Sequence, residues 1–194
     1  MAATEVMQAF LAVFPAELPD KTMVATVVLT TRYRRPAAVW IGAAAAFTVH
    51  VVVAVTAGRL LTALPEVGVQ LGVAALFATG AVLLWRSDEG IEVAGDLVAP
   101  PSTFLAAVAG SFGVVLLAEW GDLTQLATAG LAARSDAPVW TGLGALAALW
   151  TVAAIAATAG TALARRIPVR LLRRIAAVVF ATLAVVTLAE LLVG

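Results

Sequence analysis

Two short stretches of this chain place ionisable groups in otherwise apolar surroundings: AELPDKT at residues 16–22 and AEWGDLT at residues 118–124. Glu17 and Asp20 stand three residues apart in the first, as do Glu119 and Asp122 in the second. Each pair is followed by a threonine, Thr22 or Thr124. On a helix this spacing puts two side chains on one face, so each stretch is expected to aim two carboxylates at one point. Pro15 and Pro19 bracket Glu17, and Gly121 lies between Glu119 and Asp122. Proline removes an amide from the helical ladder and glycine loosens the turn, so both stretches are expected to contain bent or opened helix with free carbonyls. Carboxylates, hydroxyls and carbonyls form an all-oxygen environment that suits calcium, manganese or magnesium; copper and zinc prefer imidazole and thiolate. Gln125 adds an amide oxygen to the second stretch, where the first has Met23.

An ionised side chain at the centre of a membrane helix costs roughly 2.5–3.5 kcal/mol on insertion scales. Four carboxylates and Lys21 would together cost on the order of 12–17 kcal/mol before pairing or protonation. Apolar residues would pack without that penalty, so a purely structural role explains the duplicated acids poorly. Lys21 is the only lysine; all other basic residues are arginines. A compact ammonium that loses its proton readily on burial could hold the empty site neutral or take part in proton exchange; the alternative is a simple salt bridge to Asp20 or Asp122.

The elements that must position these groups are membrane helices. The chain has 194 residues, 62% hydrophobic and only 12% charged, with a mean hydropathy of +1.03. A soluble domain carries about 25% charged residues, so this one lacks the means to cover a water-facing surface. A net charge of zero offers no basic surface for nucleic acid, and the absence of cysteine excludes disulfides and thiolate metal sites. MAATEVMQAF lacks the positive region of a cleavable signal, so the first apolar segment is expected to remain as a span. Six segments reach the roughly 20 residues that a crossing needs: 5–31, 37–62, 67–86, 103–132, 138–164 and 171–193. The predicted fold is therefore an all-α integral membrane protein of six transmembrane helices. The connections after spans one, three and five hold Arg32, Arg34, Arg35, Arg86, Arg165, Arg166, Arg170, Arg173 and Arg174, whereas the other side holds Arg59 and Arg134. That bias puts these three connections in the cytoplasm and both termini on the outer side of a bacterial inner membrane.

Sliding the chain along itself by 102 residues aligns Glu17 with Glu119, Asp20 with Asp122, Thr22 with Thr124 and Thr26 with Thr128. The same register aligns Arg32 with Arg134, Pro36 with Pro138, Gly42 with Gly144, and Thr56-Ala57-Gly58 with Thr158-Ala159-Gly160. One added residue extends it to Pro65 on Pro168 and Phe77 on Phe180. The expected organisation is a three-helix repeat over 1–86, an acidic cytoplasmic linker over 87–102, and a second three-helix repeat over 103–194. Three spans per repeat make the two copies inverted, the layout of many secondary transporters, with the site at mid-membrane where interrupted helices meet.

Other residues are less informative. His50 has no counterpart, facing Val152 in the alignment, and reads more readily as a packed, hydrogen-bonded histidine than as a titrating relay. Asp88, Glu89, Glu92 and Asp96 make the linker acidic, as a solvated connection permits. The arginines of 165–174 follow from topology and suit anionic headgroups. Trp40, Trp85 and Trp140 read as interfacial anchors, while Trp120, inside the second motif, is expected to shape the site.

ELPDKT and EWGDLT, each opening a three-span repeat, resemble the E-φ-G-D-[KR]-[TS] motif (φ hydrophobic). That motif occurs twice in a family of six-span divalent-cation/proton exchangers, first catalogued as uncharacterised protein family sixteen, with Golgi, chloroplast and bacterial manganese and calcium transporters among its members. The resemblance covers the whole chain. It implies that Glu17, Asp20, Glu119 and Asp122 form the cation site, with Lys21, Thr22 and Thr124 at matching motif positions. Pro19 stands where the motif has glycine, and Leu123 where it has a basic residue, so the second half lacks its cation. The implied partners are a divalent cation as transported substrate, protons and the lipid bilayer, without a resident cofactor; a homodimer is left open. Exchange of manganese or calcium for protons, with export of the metal, is the expected function. Export of another small solute, such as an organic cation or amino acid, is the alternative. A membrane-embedded metal-dependent enzyme fits less well, because such sites commonly need positioned histidines or basic clamps.

Overall fold

The computed structural model describes residues 2–18, 20–61, 65–86, 101–166 and 169–193. All regular structure among them is helical: α1 (Ala2–Glu17), α2 (Lys21–Tyr33), α3 (Pro36–Leu61), α4 (Glu66–Arg86), α5 (Phe104–Ala118), α6 (Leu123–Arg134), α7 (Pro138–Arg166) and α8 (Val169–Val193). Two helices are each long and apolar enough to cross a membrane, Pro36–Leu60 and Pro138–Thr158. The pair α5–α6, bent by 72° at its break, makes a third if its halves count as one span. Val67–Leu83 and Ala177–Ala189 are shorter apolar helices.

The segments 5–31 and 103–132, expected as single spans, are each split in two. The break after Glu17 precedes Pro19, and a residue before proline is disfavoured in the helical region. Pro19 has no N–H, so the Pro15 carbonyl loses its helical donor. The break after Ala118 is made differently: Gly121 sits at φ +74°, in the left-handed region that glycine enters without steric cost. Two different residues thus interrupt the chain at equivalent places.

Packing pairs the halves reciprocally. α1 lies along α7, as α5 lies along α3. A Cβ added at Gly144 of α7 would come within 2.2 Å of the Val6 carbonyl oxygen of α1, and one added at Gly42 of α3 within 2.4 Å of the Val108 carbonyl oxygen of α5. Val6 and Val108 are themselves 102 positions apart, as are the two glycines. These helices touch backbone to backbone, the contact that small residues permit when no hydrophobic force drives helices together in lipid. α4 and α8 cross in opposite directions around the edge-on rings of Phe77 and Phe180, 5.5 Å apart. At one end of that pair the Arg174 guanidinium lies 5.5 Å from the centre of the Trp85 ring. α3 and α7 also run in opposite directions. The Trp40 indole donates to the Trp150 carbonyl at 3.2 Å, and the Trp150 indole donates to the Ala44 carbonyl at 3.0 Å. Trp40 is therefore an interhelical tie, whereas Trp85 and Trp140 are exposed as anchors would be. Residues 87–100 of the acidic linker lie outside the described residues.

Candidate cation site

Each break folds as the same tight turn. The Asp20 amide donates to the Glu17 carbonyl at 3.1 Å, and the Asp122 amide donates to the Glu119 carbonyl at 3.1 Å. Glu17 ends α1 while Asp20 stands at the N-cap of α2; Glu119 is the C-cap of α5 and Asp122 the N-cap of α6. The carboxylates of a pair therefore do not share one continuous helix face, as the spacing had led us to expect. They converge because the helix is interrupted between them. The interruption also leaves C-terminal carbonyls of α1 and α5 near the acids, and a helix C-terminus carries partial negative charge that favours a cation.

The two breaks meet in the protein interior. One oxygen from each of Glu17, Asp20 and Glu119 lies within 4.8 Å of the other two, so these three side chains can hold one metal ion. An ion that takes oxygens at about 2.3–2.6 Å spans such separations. Glu17 and Glu119 are almost completely enclosed, 0% and 2% exposed, and Asp20 is half-buried. The Thr22 hydroxyl donates to Glu119 Oε1, so a threonine of one motif grips the glutamate of the other. The reciprocal pair is close as well, with the Thr124 hydroxyl near Glu17. Neither Glu17 oxygen has a hydrogen bond of normal geometry among the described residues. Buried carboxylate oxygens left this way call for a proton or a cation.

Asp122 plays a different part. It is outside the three-oxygen group, its Oδ2 accepting from the Thr124 amide at 3.5 Å as a helix cap, while its charge acts on Glu17 together with those of Glu119 and Asp20. Gln125 Oε1 accepts from the Gly121 amide at 2.8 Å, and its Nε2 donates to the His50 carbonyl at 3.5 Å, so this amide braces the left-handed turn. Pro19 lies outside the described residues, as does the side chain of Lys21; α2 begins at Lys21.

Beside Glu119 is a cavity of about 10 Å³ lined by Phe47, His50, Glu119, Thr124, Gln125 and Thr128, among others. A space of that size holds about one water molecule. His50 is 3% exposed, and its ring nitrogens make no hydrogen bond of normal geometry among the described residues, although the Val115 and Leu116 carbonyls are near. It is packed, as expected, but without the expected hydrogen bonds among the described residues, and it faces the site. Trp120, 64% exposed, meets the His50 ring edge-on at 5.8 Å and so covers the site from outside instead of lining it. Thr128 and Phe47 were not singled out from the sequence. The match of Thr26 with Thr128 was the only signal for the former, and nothing marked Phe47 among the other apolar residues of its span.

Interrupted helices that bring buried acids from both halves of a chain to one point define a carrier of cations. The profile of the divalent cation/proton antiporter family GDT1 matches residues 5–92 and again residues 107–193. The chain belongs to this family, whose members are transporters and not enzymes, with the divalent cation as cargo. It is 31% identical over 189 residues to GDT1-like protein sll0615 of Synechocystis sp., covering 89% of this chain and 90% of that one. It is 29% identical over 213 residues to the chloroplast protein PAM71 of Arabidopsis thaliana, covering 94% of this chain and 56% of PAM71. It is 28% identical over 207 residues to the chloroplast GDT1-like protein 2 of Oryza sativa, covering 92% of this chain and 59% of that one. The chain thus spans little more than half the length of the two chloroplast relatives. No solved structure shows significant similarity to it.

Proposed function

We propose that the chain exchanges manganese or calcium for protons across a bacterial inner membrane, exporting the metal, through one site to which both repeats contribute. The observation that carries this reading is the convergence of Glu17, Asp20 and Glu119, from two separate helix breaks, within 4.8 Å. Three carboxylates so close, in apolar surroundings, cannot all hold charge without a neutralising partner. One lysine, Lys21, cannot neutralise all three; the remaining charge is met by protons or by a divalent cation, and the two exclude each other: metal binding releases protons, and acid releases metal. Thr22 holds Glu119 and Thr124 lies beside Glu17, Asp122 adds charge and caps α6, and Gln125 with Gly121 fixes the turn that presents Glu119. Lys21 and Pro19 belong to the site by their motif positions. An empty, fully charged site would face the full cost of crossing the apolar layer, so only loaded states change sides. With protons flowing inward, metal moves outward.

The proposed arrangement has six spans, with α1–α2 and α5–α6 each forming one broken span, in inverted repeats over 1–86 and 103–194 joined by the linker 87–102. Three observations support it: the family profile matches each half separately, α1–α7 and α5–α3 pack reciprocally, and the α3–α7 and α4–α8 pairs run in opposite directions. The arginine distribution supports cytoplasmic placement of residues 32–35, 86–102 and 165–174, with both termini outside.

The test uses proteoliposomes loaded with a proton indicator. External manganese or calcium should drive proton release from the loaded carrier, with a half-saturating metal concentration that rises as the pH falls. Radioactive calcium uptake should be displaced by manganese and unaffected by organic cations or amino acids. Proton movement without metal, or displacement by an organic solute, would point to export of a different solute and contradict the proposal.

A further inference from the structure

Several differences between the two repeats fall close together in space. Past Glu119, on the side towards residues 134–141, the small cavity of about 10 Å³ has Gln125, His50 and Thr128 in its wall. One turn farther along α6, from Leu131 to Ser135, lies a separate, open cavity of about 540 Å³ whose polar lining is Glu5, Gln8, Arg134, Ser135, Thr141 and Thr182. Glu5 is held there, its Oε2 accepting from the Ser135 hydroxyl at 2.8 Å and from the Thr141 hydroxyl at 3.3 Å. A carboxylate and a guanidinium lining one cavity call for water in it and not for acyl chains.

The repeat register gives the opposite side of the site residue by residue. Gln125 becomes Met23 and His50 becomes Val152, and these two pack together in an apolar cluster with Ala156. Ser135 becomes Tyr33, Glu5 becomes Ala107 and Gln8 becomes Gly110. Tyr33 is buried against Leu29, Ala38, Val39 and Ala107, and its hydroxyl lies where a Cβ on Gly110 would be only 3.0 Å away. This half is filled, yet the hydroxyls of Thr26, Thr30 and Ser111 are buried in it with no hydrogen-bond partner among the described residues. Buried orphan hydroxyls in a native protein call for an explanation, and water in a second conformation supplies one.

We propose that the cation and its water pass between the site and the face of residues 134–141 through the Glu5 vestibule, with Glu5 the first carboxylate met, while Tyr33 and Met23 seal the other half-channel. Thr26, Thr30 and Ser111 line that second route when Tyr33 swings away. The proposal rests on the transport reading above and names its path. In the orientation given there, this conformation opens to the outside.

Because the chain has no cysteine, single cysteines report access without further changes. Gln8→Cys and Thr182→Cys should react with a charged, membrane-impermeant thiol reagent from one side only, with Ser111→Cys protected. Adding Tyr33→Ala to Ser111→Cys should expose that thiol from the opposite side. Glu5→Gln should raise the half-saturating manganese concentration by about 3–10-fold for metal presented at the vestibule face, from the loss of electrostatic focusing, and leave the other face and the maximal rate unchanged. Reaction of Gln8→Cys and Thr182→Cys with lipid-soluble maleimide alone would identify a lipid-filled groove and overturn the proposal. So would equal reactivity of Ser111→Cys with Tyr33 intact, or a Glu5→Gln effect that is the same from both faces. Each of these leaves metal-driven proton movement in the parent protein intact, so it is distinguishable from failure of the transport reading, in which that movement is absent.

Discussion

Glu119→Gln is expected to abolish metal-driven proton movement while the protein still folds and inserts. Glutamine keeps the size of the side chain and can still accept from Thr22, so packing at the break is preserved. What it removes is the charge that faces Glu17 and Asp20 across less than 4.8 Å. Loss of one charged ligand is worth about 3 kcal/mol, or roughly 100-fold in metal affinity. Coupling should suffer more than affinity, because a glutamine cannot carry the proton that must replace the metal. Glu17→Gln should behave in the same way, since Glu17 is fully buried and its oxygens lack normal hydrogen bonds. Asp122→Asn separates two roles: asparagine is as good an N-cap as aspartate, so α6 should stay intact while the site loses charge. Proton fluorescence and equilibrium metal binding on the three purified variants make the comparison. Normal coupling in Glu119→Gln and Glu17→Gln together would remove both residues from the site.

The second large effect concerns the scaffold. Gly144→Leu and Gly42→Leu should each prevent the protein from accumulating, or lower its stability by about 1–3 kcal/mol or more. In each case the new Cβ falls within 2.4 Å of a backbone carbonyl oxygen on the neighbouring helix, an obstacle that no rotamer change removes. The contacts hold α1 to α7 and α5 to α3, the elements that end in Glu17 and Glu119, so any variant that survives should also bind metal poorly. Gly68→Ala and Gly72→Ala are controls on α4, where an added Cβ meets nothing within 4 Å. They should be neutral or slightly stabilising, because alanine favours the helix. Thermal stability in detergent distinguishes the two groups, and equal behaviour of all four variants would contradict the packing described.

Much of this was legible before any coordinates. The duplicated acids and the match of Gly42 with Gly144 follow from one repeat register in a strongly apolar chain, and Pro19 and Gly121 point to an opened helix at both motifs; that each glycine packs against a backbone of the other repeat is visible only in the fold. Convergence of Glu17 and Asp20 was also expected, but for an incomplete reason: spacing on a continuous helix suggested it, whereas a turn between two half-helices produces it. Two of the departures from symmetry, Met23 against Gln125 and Val152 against His50, read as unrelated differences along the chain. In space they are one difference, because Gln125 touches His50 while Met23 packs with Val152. A sequence lists such residues one by one, and only packing reveals which of them vary together. The role of Glu5 was hidden for the same reason, since its partners Ser135 and Thr141 lie more than a hundred residues away.

The most direct test is to locate the ion. Anomalous scattering from a crystal soaked in manganese should give one peak in the protein interior, within coordination distance of Glu17, Asp20 and Glu119, and Glu119→Gln should lose it. A manganese peak elsewhere in the membrane region, or none there at a concentration that saturates transport, would contradict a shared site at the two helix breaks.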